Sequence, residues 1–161
     1  MRKLKRKRKQ DVEKEEMTSN WNWGSGSLKR MEGIHPILIE FANRVLSNSK
    51  FDLTIPYLGG KRTAEQQAEI YSRGASTLDG VTKKSRHQRG LAVDLVVSGK
   101  TIDAMYDVEK LEYVNEVAKQ VWAEMVDEDL HLFGDTKYKM VFGGDWVSFK
   151  DLPHYQLNKI G

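Results

Sequence analysis

Four histidines, at positions 35, 87, 131 and 154, stand in this 161-residue chain, which has no cysteine. Any transition metal must be held by His, Asp or Glu, and disulfides, iron–sulfur clusters and thiol nucleophiles are excluded. The segment Ser85-Arg86-His87-Gln88-Arg89-Gly90-Leu91-Ala92-Val93-Asp94 puts an imidazole and a carboxylate on either side of a glycine. Gly90 lets the backbone turn tightly enough for His87 and Asp94 to converge on one ion. A second imidazole comes from Asp151-Leu152-Pro153-His154 near the C-terminus. Two histidines and one carboxylate, with a fourth position open, make a catalytic zinc set; structural sites are usually closed by four ligands. Non-haem iron oxygenases draw on the same ligand types, but six residues lie between His87 and Asp94, too many for their closely spaced first pair.

Hydrolysis needs more than ligands. Zinc lowers the pKa of its water to about 7, and a neighbouring carboxylate must still take the proton and return it to a leaving amine. Asp151, three residues before His154, is the candidate. A cation must also face the oxyanion of the tetrahedral intermediate. Arg62 is the candidate there, with Gln67 beside it about one helical turn past Thr63. A cation gains nothing from standing at a helix N-terminus, which favours a working role for Arg62.

These residues must be positioned by regular elements. His35-Pro36 opens a helix whose apolar face is Ile37, Leu38, Phe41, Ala42, Val45 and Leu46; His35 is read as structural. Phe51 to Tyr57 is a short strand closed by Gly59-Gly60, and Thr63 with Gln66 forms a capping box for a helix from Ala64 to Arg73-Gly74. After the polar loop 75–84, Leu91 to Val97 is a buried strand. A long helix from about Val108 to Glu128 puts Leu111, Val114, Val117, Ala118, Val121, Trp122 and Met125 at core spacing. Short strands are expected at His131 to Phe133 and Lys139 to Phe142, and a terminal strand after Pro153 carries His154 and Gln156 on one face. The order implies an α+β fold, a small antiparallel sheet packed against helices.

Charge is unevenly spread. Seven of the 26 basic residues lie in positions 1 to 10, leaving 19 against 23 acidic ones in the rest. Residues 1–20 are read as a charged tail that cannot bury enough surface to fold alone, and residues 21–161 as one domain. The basic block can engage anionic envelope surfaces; no nucleic-acid partner is expected, and the protein is read as a monomer. No apolar run follows the basic start, so there is no secretory signal, and none is long enough to span a membrane.

Ser85-x-His87-x-x-Gly90-x-Ala92-x-Asp94 followed by Asp151-x-Pro153-His154 resembles the two-part signature of the zinc D-alanyl-D-alanine carboxypeptidase family. It is most similar to the branch of phage L-alanyl-D-glutamate endopeptidases, and Arg62-Thr63 with Gln67 resembles that family's segment ahead of the first ligand. The carboxypeptidase branch usually has Glu and Pro-Trp-His where this chain has Asp151 and Leu152-Pro153-His154, and Arg89 replaces an aromatic or small residue. The resemblance covers Trp21 to the C-terminus. It implies the fold of Hedgehog domains and D-Ala-D-Ala peptidases, with Zn2+ on His87, Asp94 and His154. Asp151 would be the general base and Arg62 would polarise the scissile carbonyl, while Ser85 and Gln67 would contact substrate. The implied substrate is the peptidoglycan stem peptide, cut between L-alanine and D-glutamate. The enzyme would be made in the host cytoplasm and released to the wall at lysis. The alternatives are a D-alanyl-D-alanine carboxypeptidase or dipeptidase on the same scaffold and an inactive, zinc-stabilised wall-binding module.

Overall fold

A computed structural model describes residues 19–161; the expected charged tail lies outside them but for its last two residues. In chain order the elements are α1 (Ser25–Arg30), α2 (Pro36–Asn48), β1 (Leu53–Thr54), α3 (Ala64–Ser72), a 3-10 turn (His87–Arg89), β2 (Ala92–Asp94) and β3 (Val96–Val97). There follow α4 (Ile102–Met105), α5 (Val108–Asp127), β4 (Leu132–Phe133), β5 (Thr136–Phe142), a second 3-10 turn (Gly143–Asp145) and β6 (His154–Lys159).

The sheet is antiparallel, in the order β2-β6-β5-β4, and a separate ladder pairs β1 with β3. Helices α2 and α5 pack on each other and bury the faces that their periodicity announced, Phe41, Ala42 and Val45 against Val114, Ala118 and Val121. Phe41 also meets the Tyr155 ring of β6 at 5.3 Å, which ties the helices to the strand carrying His154. Truncating Phe41 to alanine would cost about 3–5 kcal/mol. The expected α+β architecture is what the chain adopts.

The local starts are chemically plain. His35 caps α2: its Nδ1 accepts from the Ile37 amide at 3.1 Å, and Pro36 takes the first helical position, where no amide donor is needed. Its ring lies edge-on to Phe133 and Tyr138, and burial lowers its pKa. Thr63 and Gln66 close the capping box of α3.

Several boundaries differ from expectation. The apolar run Leu91 to Val97 is two strands: residues 92–94 pair with β6 and residues 96–97 with β1, while the Leu95 amide donates to Pro153 O between them. Ala92, Val93, Leu95, Val96 and Val97 are all buried, so no polar alternation marks the break. The strand expected from Phe51 to Tyr57 shortens to Leu53–Thr54, and β5 starts at Thr136 rather than Lys139. Helices α1 and α4, of six and four residues, are too short to show a helical period.

Candidate metal centre

The β2–β6 register sets Asp94 directly opposite His154, and side chains so placed begin about 4.5–5.5 Å apart. His87 arrives from the 3-10 turn just before β2. That turn ends at Gly90 in the left-handed region, φ 70°, and a Cβ there would stand 2.4 Å from Gly33 O. Gly90 O accepts from the His35 amide at 2.9 Å, so the start of α2 pins the turn that aims His87.

Three atoms converge. His87 Nε2 lies 3.3 Å from His154 Nδ1 and 3.3 Å from Asp94 Oδ1, and His154 Nδ1 lies 3.2 Å from Asp94 Oδ1. The other imidazole nitrogens are occupied: His87 Nδ1 faces Gly60 O at 3.0 Å, and His154 Nε2 faces Gln156 Oε1 at 2.8 Å. Gln156 Nε2 in turn donates to Asn158 Oδ1 at 3.1 Å, which orients the amide. Both outer partners are oxygens, so each ring is protonated on its outer nitrogen and turns a lone pair inward. Two imidazole lone pairs and a carboxylate oxygen facing one another call for a cation. A tetrahedral ion about 2.0–2.1 Å from each ligand separates ligand atoms by roughly 3.3 Å, the spacing found here. The residues fit zinc.

Burial is the largest influence on the Asp94 carboxyl and pushes its pKa up, yet the charges and hydrogen bonds of His87 and His154 together hold it well below the ordinary range. His154 shows the converse: burial opposes its charge, but Asp94 chiefly, with Gln156 and Asp151, raises its pKa. Both shifts express the same demand for positive charge between the three side chains.

Residues 58–62 wrap this centre with their backbone. Gly60 O holds His87, Gly59 O accepts from the Asp94 amide at 2.8 Å, and Leu58 O accepts from Arg62 Nε at 2.7 Å. A Cβ on Gly60 would fall 2.0 Å from Arg30 O, so only glycine allows the approach. Arg62 donates from Nη1 to Gln67 Oε1 at 3.0 Å, and its Nη2 lies 3.8 Å from Asp94 Oδ2. The guanidinium is largely buried, which lowers its pKa against the pull of Asp94 and Asp151.

Asp151 follows an exposed segment, 147–150, and two backbone bonds tie its base: its amide donates to Gly143 O at 2.9 Å and its carbonyl accepts from the His154 amide at 3.1 Å. Its carboxyl is pushed up by desolvation first and Asp94 second, against the pull of His154, His87 and Arg62. It therefore sits within electrostatic reach of the whole cluster. The ring of Trp146 leans on His154 with centroids 5.1 Å apart.

Gln67 and Ser85, to which the resemblance gives substrate contacts, are both buried side chains. Gln67 is fully enclosed, and beyond Arg62 it donates to Ser76 Oγ and Leu78 O. Ser85 is buried, exchanging hydrogen bonds with Gln88 across the turn that carries His87. Both hold neighbours of the centre. Sequence reasoning missed the outer partners Gly60 and Gln156, although the alternation in β6 had already put Gln156 on the face of His154. The pKa of Tyr106, just after α4, is raised by desolvation and then by Asp94 and Asp151.

The chain was compared with known proteins. A sequence model of the family described as phage L-alanyl-D-glutamate peptidase matches residues 19–156. The peptidoglycan L-alanyl-D-glutamate endopeptidase CwlK of Bacillus subtilis is 29% identical over 133 residues, 77% of this chain and 73% of the relative. The L-alanyl-D-glutamate peptidase of Listeria phage A118 is 35% identical over 102 residues, 62% of this chain but 29% of that longer protein. The crystal structure of the Serratia marcescens L-Ala D-Glu endopeptidase ChiX superposes with a TM-score of 0.66 at 23% identity, covering 86% of this chain and 92% of the other, a likeness of fold. The match over residues 19–156 takes in all three converging side chains, Arg62 and Asp151, and on it the chain belongs to the phage L-alanyl-D-glutamate peptidase family.

Proposed function

We propose that this protein is a zinc-dependent peptidoglycan hydrolase that cuts the stem peptide between L-alanine and D-glutamate. The observation that carries the metal reading is the convergence of His87 Nε2, His154 Nδ1 and Asp94 Oδ1, mutually 3.2–3.3 Å apart, with both outer ring nitrogens already engaged. The family and the relatives' named activities support the choice of bond. A zinc ion held there would supply Lewis-acid polarisation of the carbonyl and a nucleophile at neutral pH.

The chain's own residues do the rest. Asp151 takes the proton of the attacking water and passes it to the departing D-glutamyl amine. Arg62, with Nε and Nη1 fixed by Leu58 and Gln67, presents Nη2 to the developing oxyanion; donors already oriented in a partly dry site need no rearrangement in the transition state. Gln67 and Ser85 position Arg62 and the His87 turn. None of the helices among the described residues is long and apolar enough to cross a membrane. We assign the site of action to the cell wall, reached from the host cytoplasm at lysis, with the basic block at residues 2–9 engaging anionic envelope surfaces.

Purified sacculi incubated with metal-loaded protein test this. Products whose mass and new amino terminus place the cut after L-alanine are expected; release of terminal D-alanine alone would overturn the choice of bond. Deleting residues 2–9 should weaken lysis of intact cells more at low salt than at high salt, because exposed charges are screened; an equal effect at both salts removes the tail from the function.

A further inference from the structure

Two rings lie against the proposed ligand His154. One is the imidazole of His87, with centroids 5.1 Å apart and planes at 61°; the other is the indole of Trp146, also at 5.1 Å, with planes at 40°. Trp146 is half-buried, while residues 147–150 after it are exposed. Trp23 and Trp122 pack against the hydrophobic core and Trp146 does not, so core packing does not account for its place.

The two imidazoles are secured unequally. His87 Nδ1 faces a main-chain oxygen, Gly60 O, and Gly60 itself is packed so closely on the Arg30 backbone that its carbonyl has no room to follow a turning ring. His154 Nε2 faces Gln156 Oε1, the end of a side chain whose own partner is a second side-chain amide, Asn158. Both amides are partly open to water. Side chains change orientation by moving between staggered wells, and an acceptor on a rotatable side chain can move with the ring that it holds. Asp94 is fixed by its strand register and by its amide bond to Gly59 O. Of the three candidate ligands, His154 is therefore the one whose outer hydrogen bond restrains it least.

Trp146 supplies what Gln156 does not, a support with a fixed main chain. Gly143 O accepts from the Trp146 amide at 3.2 Å and from the Asp151 amide at 2.9 Å, so one carbonyl ties both ends of the exposed segment. A Cβ on Gly143 would stand 2.4 Å from Asp151 O and 2.9 Å from His154 Cβ; the turn that carries the indole is thus seated on the ligand residue itself, at a distance that only glycine permits. We propose that Trp146 is a positioning residue for His154: its indole restrains the imidazole in the orientation that aims Nδ1 at Asp94 and His87, and so slows loss of the ion. The inference rests on the zinc reading of the site and adds to it that His154 is the ligand whose rotation limits metal release.

The test mixes zinc-loaded wild type, W146F, W146A and F149A with excess chromogenic chelator and follows zinc release by absorbance. Removing a group that orients a ligand weakens metal binding about 10–100-fold, and W146A should release zinc faster by that factor. W146F, which keeps a flat ring, and F149A, altered at an exposed position of the same segment, should release it at nearly the wild-type rate. A second readout needs no metal: NMR couplings across χ1 of His154 in the metal-free proteins should report one rotamer in wild type and W146F and an average in W146A. Should W146A not fold, W146L, which fills the volume without a flat face, takes its place with the same expectations. Unchanged release from W146A, or release from W146F as fast as from W146A, overturns the positioning role. A wild type that takes up no zinc sinks the metal reading instead, and the couplings then decide: averaging already in the wild type, or a single rotamer in W146A, overturns the role of Trp146.

Discussion

The converging ligands and the two groups assigned to work on substrate are held by different kinds of structure. His87 and His154 are 3% and 7% exposed, Asp94 and His154 face each other across a strand pair, and each imidazole has a fixed outer partner. Asp151, by contrast, ends a segment in which Val147 and Phe149 are almost wholly exposed and Phe149 has φ 55°. Arg62 is intermediate, a largely buried side chain on a loop, braced by Leu58 and Gln67. The candidate ligands are thus held by a strand pair and the tight turn leading into it, where a lost contact has nowhere to relax. The groups proposed for turnover sit on loops, which can adjust around a peptide. The two properties should be separable by mutation.

The sharpest break comes from the ligands. His154→Ala or His87→Ala should abolish tight zinc binding and cut lytic rate at least about 10³-fold, since activity needs the ion; elemental analysis beside a turbidity assay reads both. A chelator should do the same to the wild type, with recovery on adding zinc. Retained metal with full activity in either variant would remove the ligand set. Next in size, Asp151→Asn should leave zinc stoichiometry intact while lowering kcat about 10²–10⁴-fold, and loss of metal together with activity would erase the distinction between the two regions.

Asp151 also carries a pH signature. Its folded-state pKa is raised, so in metal-free protein its ionisation opposes folding: stability falls as pH rises above the unfolded carboxylate value. Metal-free Asp151→Asn should therefore melt slightly higher than metal-free wild type at pH 7 and no higher below pH 3. The carboxyl, followed by carbon NMR, should titrate above the ordinary aspartate value without metal and move down when zinc is added, because a nearby cation favours the charged form.

Arg62→Lys keeps the charge but loses the fork that reaches Leu58, Gln67 and the cleft at once. A fall of about 10²-fold in kcat with unchanged zinc content is expected, and Gln67→Leu should reproduce a smaller part of it. The mildest effect falls on the ligand side. Gln156→Leu should weaken zinc binding about 10–100-fold without destroying the site, by freeing the His154 ring; a competition titration measures it, and unchanged affinity would show that β6 alone orients the ring.

Much of this was legible from residue types and spacing. With no cysteine and four histidines, the candidate ligands were few, and His87, Asp94, His154 and Asp151 could be named before any fold was known. The helical periods of α2 and α5 and the box at Thr63 could be read because they are local regularities. The break after Asp94 could not, since a stretch buried on both faces shows no alternation. The burial of Gln67 and Ser85 was equally hidden, because it depends on what packs over a polar side chain.

The sequence by itself narrowed the side chains that could bind a metal to a few and offered Asp151 as the candidate proton carrier, because candidates follow from residue type and short spacings. Only the tertiary structure decided that His87 and His154 would be 3.3 Å apart although 67 positions separate them. It also decided which nitrogen of each ring faces inward, and that Gly60 and Gln156 would choose. Register between distant strands and the close passage of one backbone by another are set by the packed whole, and no local pattern encodes them.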